Sequence, residues 1–313
     1  MRDSRVSFGQ DLIWRLEALA FDVFTFLMRL MPVDFASDLG GALFRRFGRY
    51  SKTHALAWQN LILAFPEKDE AWRQQVLADQ WESNGRTVFE FPQMDRIRPS
   101  TGRVELVGAD RMEAIRTGGK AVVFVSGHLS NWEVMPAAIV DSGVVCQMTY
   151  RAANNPYVDK RIRESRARYG VQLFAPKGGD GARELLEGMK KGESVALMND
   201  QKFNRGGVSV PFFGRPVMAA PGPSRLALRF GTVLQPMSVQ RLKGARFRAV
   251  VHEPIAVPDT GDKTADIAAG VAAVTRFVED QVRERPGEWF WVHRRWPKEA
   301  YQELRERGLM GPA

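Results

Sequence analysis

The chain has 313 residues, 44% of them hydrophobic, a net charge of +9 and a single cysteine, Cys146. That length buries a large core in one or two domains, the hydrophobic content excludes a disordered chain, and one cysteine excludes a disulfide framework and points to a reducing compartment. No uncharged apolar run reaches the roughly 18 residues of a clean transmembrane helix, no signal peptide is expected, and no Cys/His spacing suits zinc.

From the N-terminus, residues 8–31 repeat apolar side chains at helical spacing. Leu12, Leu16, Leu19, Val23, Leu27 and Met31 share one face, widened by Phe8, Ile13, Ala20 and Phe24. Arg15, Glu17, Asp22 and Arg29 interrupt the rest. Trp14 and the phenylalanines suit a membrane interface, so an amphipathic membrane-binding helix is expected. The alternative is a helix of the globular core. Asp22 near the bilayer centre argues against a short tilted span. Pro32 stops this helix. Further helices are expected over 34–48, 51–65 and 69–91, the last with Trp72, Val76, Trp81, Val88 and Phe89 as its apolar set. Residues 1–98 therefore form a helical N-terminal region.

After Pro99 the pattern changes. Strands are expected over 121–125, 144–149, 171–174, 194–198, 232–240 and 247–252, with a last one at 289–293. Helices are expected over 132–140, 157–169, 181–190, 223–230 and 265–285, and a loop over 202–216. This alternation predicts an α/β domain over 99–313 with a mostly parallel central sheet flanked by helices.

The run Ala121-Val122-Val123-Phe124-Val125 is too apolar for a strand with one wet face and reads as a central buried strand. Gly127 breaks it, His128 follows, and Glu133 lies within the next turn. A histidine at a strand end followed by a carboxylate fits a catalytic base and its orienting partner. A structural histidine is the plain alternative. Open α/β sheets bind ligands at the carboxyl ends of their strands. Those ends carry His128 with Glu133, then Tyr150-Arg151 with Asn154-Asn155, then Asn199-Asp200-Gln201. Neither a Gly-x-Ser-x-Gly elbow nor an ATP-type phosphate loop occurs. A base without a protein nucleophile implies an external one, water or a substrate hydroxyl. Glu133 would hold the imidazole in one tautomer. Arg151 and Arg166 suit a phosphate or a developing oxyanion, with a solvated helix face as the alternative for Arg166. Asp200 suits a substrate hydroxyl or an arginine, with a loop cap as its alternative.

From Lys202 to Arg248 there are nine basic residues, Arg205 among them, and no acid. Such a field suits phosphate groups, an acidic protein, an anionic membrane or nucleic acid. Pro211-Phe212-Phe213-Gly214 reads either as an apolar lip for a lipid chain or as ordinary packing. Trp289-Phe290-Trp291-Val292-His293-Arg294-Arg295-Trp296 mixes aromatics with cations and suits a headgroup layer or base stacking, with His293 either structural or supporting site residues from behind.

Several motifs then fall in order. They are Asn60-Leu61 with Ala64-Phe65-Pro66-Glu67; Gly127-His128 to Glu133; Tyr150-Arg151 with Asn154-Asn155 and Arg166; Lys191-Gly192-Glu193; Asp200-Gln201; Val210-Pro211-Phe212-Phe213-Gly214; and Trp291 to Trp296. In these the chain resembles the late acyltransferases of lipid A biosynthesis, the lauroyl/myristoyl transferases within the lysophospholipid acyltransferase group. The resemblance implies an enzyme at the cytoplasmic face of a Gram-negative inner membrane. It implies acyl transfer from an acyl carrier protein thioester to a hydroxyl of a 3-hydroxyacyl chain on a lipid A precursor. It makes His128 the general base and Glu133 its partner, with Arg166 and Asp200 as further site positions; together with Arg151 and Gln201 at the strand ends these are the expected substrate-binding residues. The partners it implies are the carrier protein, the lipid A precursor and the membrane, not nucleic acid. No metal and no cofactor are needed. Rival readings are an enzyme of the same group acting on a lysophospholipid or glycolipid, with acyl-CoA as a donor; a thioesterase using water; and a non-catalytic basic binding protein.

Overall fold

The strand expected at 121–125 sits in the middle of the sheet. The computed structural model describes residues 6–172, 174–176, 179–203 and 206–309. Four helices come first: α1 (Phe8–Leu30), α2 (Val33–Phe47), α3 (His54–Ala64) and α4 (Glu70–Glu90). Then follow β1 (Val104–Val107), α5 (Ala109–Thr117), β2 (Val123–Ser126), α6 (Val134–Asp141), β3 (Cys146–Tyr150), α7 (Pro156–Ala167), β4 (Phe174–Pro176), α8 (Gly179–Lys190) and β5 (Ser194–Met198). The chain continues with β6 (Val208–Phe212), β7 (Arg215–Ala219), α9 (Gly222–Arg229), β8 (Val233–Arg241), β9 (Phe247–Val251), β10 (Ile255–Ala256), α10 (Lys263–Glu284) and α11 (Lys298–Glu306).

The main sheet has the order β1-β9-β8-β2-β5-β3-β4, with β10 added to β8. Its pairings are parallel except β8 with β9 and β8 with β10. This is the mostly parallel α/β sheet that the alternation predicted. All four residues of β2 are buried because helices cover both faces. Phe124 packs with Val134, Met135 and Ile139 on one side. Val123 and Val125 pack with Leu185, Leu226 and Val274 on the other, as the two-residue period of a strand requires. Cys146 is buried in the first of these clusters, and burial pushes its thiol up.

The helical N-terminal region shares these cores. Val33, Met94 and Ile97 pack in the cluster that holds Phe124. Leu61, Leu63 and Phe65 pack with Phe212, Trp289 and Trp291. Helix α1 is the exception in orientation. Its polar side chains dock it: Asp11 accepts from Tyr157 at 2.7 Å, Glu17 from Asn155 at 2.8 Å, and Asp22 from Arg161 at 2.6 Å, while Arg29 pairs with Asp95 at 2.7 Å. Its apolar residues Phe8, Leu12, Leu16, Leu19, Val23, Phe26, Leu27 and Leu30 are exposed. The described helices include none long and apolar enough to cross a membrane.

Some expectations need correction. The stretch 202–216 is not all loop, since β6 and β7 form an antiparallel hairpin. Its turn is Phe213-Gly214, both at positive φ, 51° and 70°, the backbone that a tight two-residue hairpin demands. Phe212 and Phe213 are buried, so this motif is packing rather than a lip. Residues 289–293 form no strand, only an isolated bridge from Trp289 to Leu129. The aromatic run there belongs to the interior: Trp289, Trp291 and Trp296 are all buried. Of the strand expected at 171–174, Leu173 lies outside the described residues, and the pairing begins at Phe174.

Candidate active site

Parallel pairing of neighbouring strands brings their carboxyl ends to one edge. Ser126 lies opposite Met198 in the β2–β5 register. Two residues beyond each strand end stand His128 and Asp200. The Asp200 carboxylate grips His128 twice. Oδ2 accepts the His128 backbone amide at 2.7 Å, and Oδ1 lies 2.8 Å from Nδ1. Trp289 Nε1 also donates to Oδ2, at 2.9 Å. Gly127 eases this approach, because a Cβ there would stand 3.3 Å from the carboxylate oxygen and press on it. Burial pushes the Asp200 carboxyl up, but the charge and hydrogen bonds of His128 and the Trp289 indole outweigh it and hold it well below the usual carboxylate range. An acceptor-only carboxylate on Nδ1 assigns the ring proton there and leaves Nε2 for chemistry.

The hydrogen bond expected between His128 and Glu133 is therefore made by Asp200 instead. Glu133 is buried in a pair of its own. Arg166 meets it with both arms, Nε at 3.0 Å and Nη2 at 2.5 Å, and the Tyr169 hydroxyl donates at 2.6 Å. Burial raises the Glu133 carboxyl, but the Arg166 charge and the bonds from Arg166 and Tyr169 lower it further, helped by the His128 charge. The same pairing lifts the Arg166 guanidinium against its burial.

Both groups line one cavity of ≈ 340 Å³. Its wall is apolar over Phe124, Met135, Pro136, Ile139, Met148, Val171, Ala196, Leu197, Met198 and Met237, and its polar residues include His128, Glu133, Arg151, Arg166, Gln201 and His293. The candidate residues thus gather at one place, with Asp200 behind His128. Arg151 is exposed. The described residues contain no group of His, Cys, Asp and Glu arranged to hold a metal ion.

An apolar chamber with a carboxylate-held imidazole is a setting for transfer onto an external nucleophile. The family model for bacterial lipid A biosynthesis acyltransferases matches residues 15–298. The chain belongs to that family. It is an acyltransferase. The lipid A biosynthesis palmitoleoyltransferase of Escherichia coli (strain K12) is 23% identical over 296 residues, covering 92% of this chain and 89% of that one. The lipid A biosynthesis lauroyltransferase of the same organism is 24% identical over 275 residues, covering 85% and 86%. The phosphatidylinositol mannoside acyltransferase of Mycobacterium tuberculosis (strain CDC 1551 / Oshkosh) is 23% identical over 267 residues, covering 83% and 81%.

Other motifs of the acyltransferase act by holding this site in place. Asn60 donates to the carbonyls of Trp291 at 2.6 Å and His293 at 2.8 Å, and accepts from Tyr301 at 2.6 Å. That fixes the segment whose Phe290 amide donates to the His128 carbonyl, at 3.2 Å. Asn155 caps α7 by accepting from Tyr157 and Val158. Arg295 is 2% exposed and donates to the carbonyls of Gln201 and Met218, and burial pushes it down to about 10 against the raising effect of Asp200. Tyr169 and Trp289 were not singled out from sequence as site residues. The basic stretch from 202 to 248 is no single field. Arg241 pairs with buried Glu90, Arg215 with Glu303 and Arg248 with Glu105, while Arg205 lies outside the described residues.

Proposed function

We propose that this acyltransferase moves a fatty acyl chain from an acyl carrier protein thioester to the hydroxyl of a 3-hydroxyacyl chain on a lipid A precursor. The observation that carries this reading is His128, fixed through Nδ1 by Asp200 at the wall of an apolar cavity. Nε2 takes the proton of the acceptor hydroxyl while its oxygen attacks the thioester carbonyl. The tetrahedral intermediate collapses, the carbon–sulfur bond breaks, and the imidazolium returns its proton to the leaving thiolate. The products are an ester and a free carrier thiol. Asp200 stabilises the imidazolium directly. Glu133 adds negative charge nearby without bonding the ring, and Arg166 keeps that carboxylate ionised. With Arg166 so engaged, Arg151 at the cavity is the cation open to a substrate phosphate.

On this reading the reaction runs at the cytoplasmic face of the inner membrane. Helix α1 supports the membrane part of it, because its charges are engaged by Tyr157, Arg161 and Asp95 while its apolar stripe faces outward. Such a face suits the boundary between headgroups and acyl chains. The similarity to a phosphatidylinositol mannoside acyltransferase favours one second reading, a glycolipid acceptor, for which acyl-CoA is the donor to set beside the carrier thioester.

The test is an assay of purified protein in detergent with acyl carrier protein thioesters, acyl-CoA, a tetra-acylated lipid A precursor and a mannosylated phosphatidylinositol. Mass gain of one acyl chain on the lipid A precursor, lost in His128→Ala, is the expected result. Gain only on the mannolipid would select the second reading. Thioester loss with free fatty acid and no acylated acceptor would replace both with a thioesterase.

A further inference from the structure

The turn that links His128 to Glu133 is held by a helix of the N-terminal region. Ser130 within it has φ 51°, a conformation that a serine keeps only where its surroundings impose it. Its amide donates to the Glu288 carbonyl at 2.7 Å, and its carbonyl lies 3.3 Å from the Thr87 hydroxyl of α4, which shares its proton with the Ser83 carbonyl at 3.0 Å. Next to it Asn131 is fully buried. The Asn131 carboxamide faces two ways. Its Nδ2 donates to Glu90 Oε2 at 2.8 Å, and its Oδ1 accepts the Glu133 amide at 3.1 Å.

Glu90, the last residue of α4, is also fully buried. It accepts from Ser37 at 2.6 Å and from the Arg241 guanidinium through both oxygens. Arg241 itself stacks on Phe247, 4.5 Å from the ring centre. A buried ion pair of this kind is poor value as a source of stability, since desolvation offsets most of its attraction. What it does supply is polarity. A carboxylate only accepts hydrogen bonds, so it fixes which end of the Asn131 amide points toward it. The other end must then present oxygen to the Glu133 N–H.

We propose that Glu90 is a positioning residue for the transfer reaction. Through Asn131 it sets the turn between His128 and Glu133, so that imidazole and carboxylate face the same cavity. This rests on the reading of His128 as the base. A glutamine at 90 would turn its oxygen to Arg241 and its NH2 to Asn131. The Asn131 amide would then flip and oppose one N–H with another at Glu133. A carboxylate at 131 would accept from both sides and restore the turn.

The experiment compares Glu90→Gln, Asn131→Asp and the double variant Glu90→Gln/Asn131→Asp. Each is measured for kcat, for KM and for amide hydrogen exchange over 127–133. Glu90→Gln is expected to lower kcat by about tenfold to a hundredfold, the scale of a small misplacement of reacting groups. KM for the acyl donor should stay within about twofold, as for an interaction that matters in the transition state. Asn131→Asp alone, which sets two carboxylates together, should also lose kcat. The double variant should recover most of the rate and the exchange protection. Wild-type kcat with unchanged exchange in Glu90→Gln would overturn the inference, as would a double variant no better than the worse single one. If the wild type transfers no acyl chain, the reading of the site falls, and the exchange pattern alone still decides whether Glu90 sets the turn.

Discussion

A carboxylate bonded to Nδ1 of an imidazole decides which nitrogen does chemistry, and here that carboxylate is Asp200. Replacing it by an amide leaves the shape and allows the wrong tautomer. Asp200→Asn is therefore expected to lower kcat by about 10³- to 10⁴-fold, read by the rate of acyl transfer, with the fold retained by circular dichroism. Glu133 makes a different prediction. Its partner Arg166 is largely enclosed, with 20% of its side chain exposed. Glu133→Gln removes the charge that compensates it, so urea denaturation should show a loss of about 3–5 kcal/mol, alongside slower transfer. The acid five residues after His128 was legible in sequence, but its partner was not. Glu133 turns to Arg166 and Tyr169, more than thirty residues on, while His128 turns to Asp200, 72 residues on. Sequence shows that both His128 and Asp200 follow strands. It does not show that β2 and β5 are neighbours.

At the scale of elements, α1 inverts the usual amphipathic logic. Its charged residues, which interrupt the apolar pattern in sequence, are the ones that bind it to α7 and to Asp95. The apolar stripe is left outside, with Leu16 58%, Phe26 63% and Leu30 67% exposed. Changing these three to serine removes little packing, so the melting temperature should hold, as for surface substitutions in general. Sedimentation with anionic phospholipid vesicles should show binding by the wild type and its loss in the triple variant. The helices of residues 1–98 and most strands of the domain were legible because their periods are long or strongly apolar. Strand β1, Val104–Val107, was missed because it is four residues long and mostly unburied. The β6–β7 hairpin was missed because its turn places a phenylalanine at positive φ, φ 51°, where turn chemistry calls for Gly or Asn.

At the scale of the whole molecule, the helices before residue 99 and the sheet after it form one body around the cavity, with Glu90 and Thr87 reaching from the first part to the turn between His128 and Glu133, and Asn60 to the Trp291 carbonyl. Two of the buried carboxylates there, Asp200 and Glu133, bear on stability through their shifted titration. Both Asp200 and Glu133 are held below their ordinary values. The unfolded chain therefore takes up protons first as pH falls. Stability from these groups is fully present above about pH 5 and should decline as pH drops through about 4 and below, which urea midpoints between pH 7 and pH 3 would record. Finally, Cys146 is the chain's single cysteine, and its buried, raised thiol is a poor nucleophile. The native protein is therefore expected to react slowly with maleimide reagents. A cysteine placed at Phe26 would carry a fluorophore or spin label alone, and its quenching by lipid-borne probes would test whether α1 enters a bilayer, and how deeply.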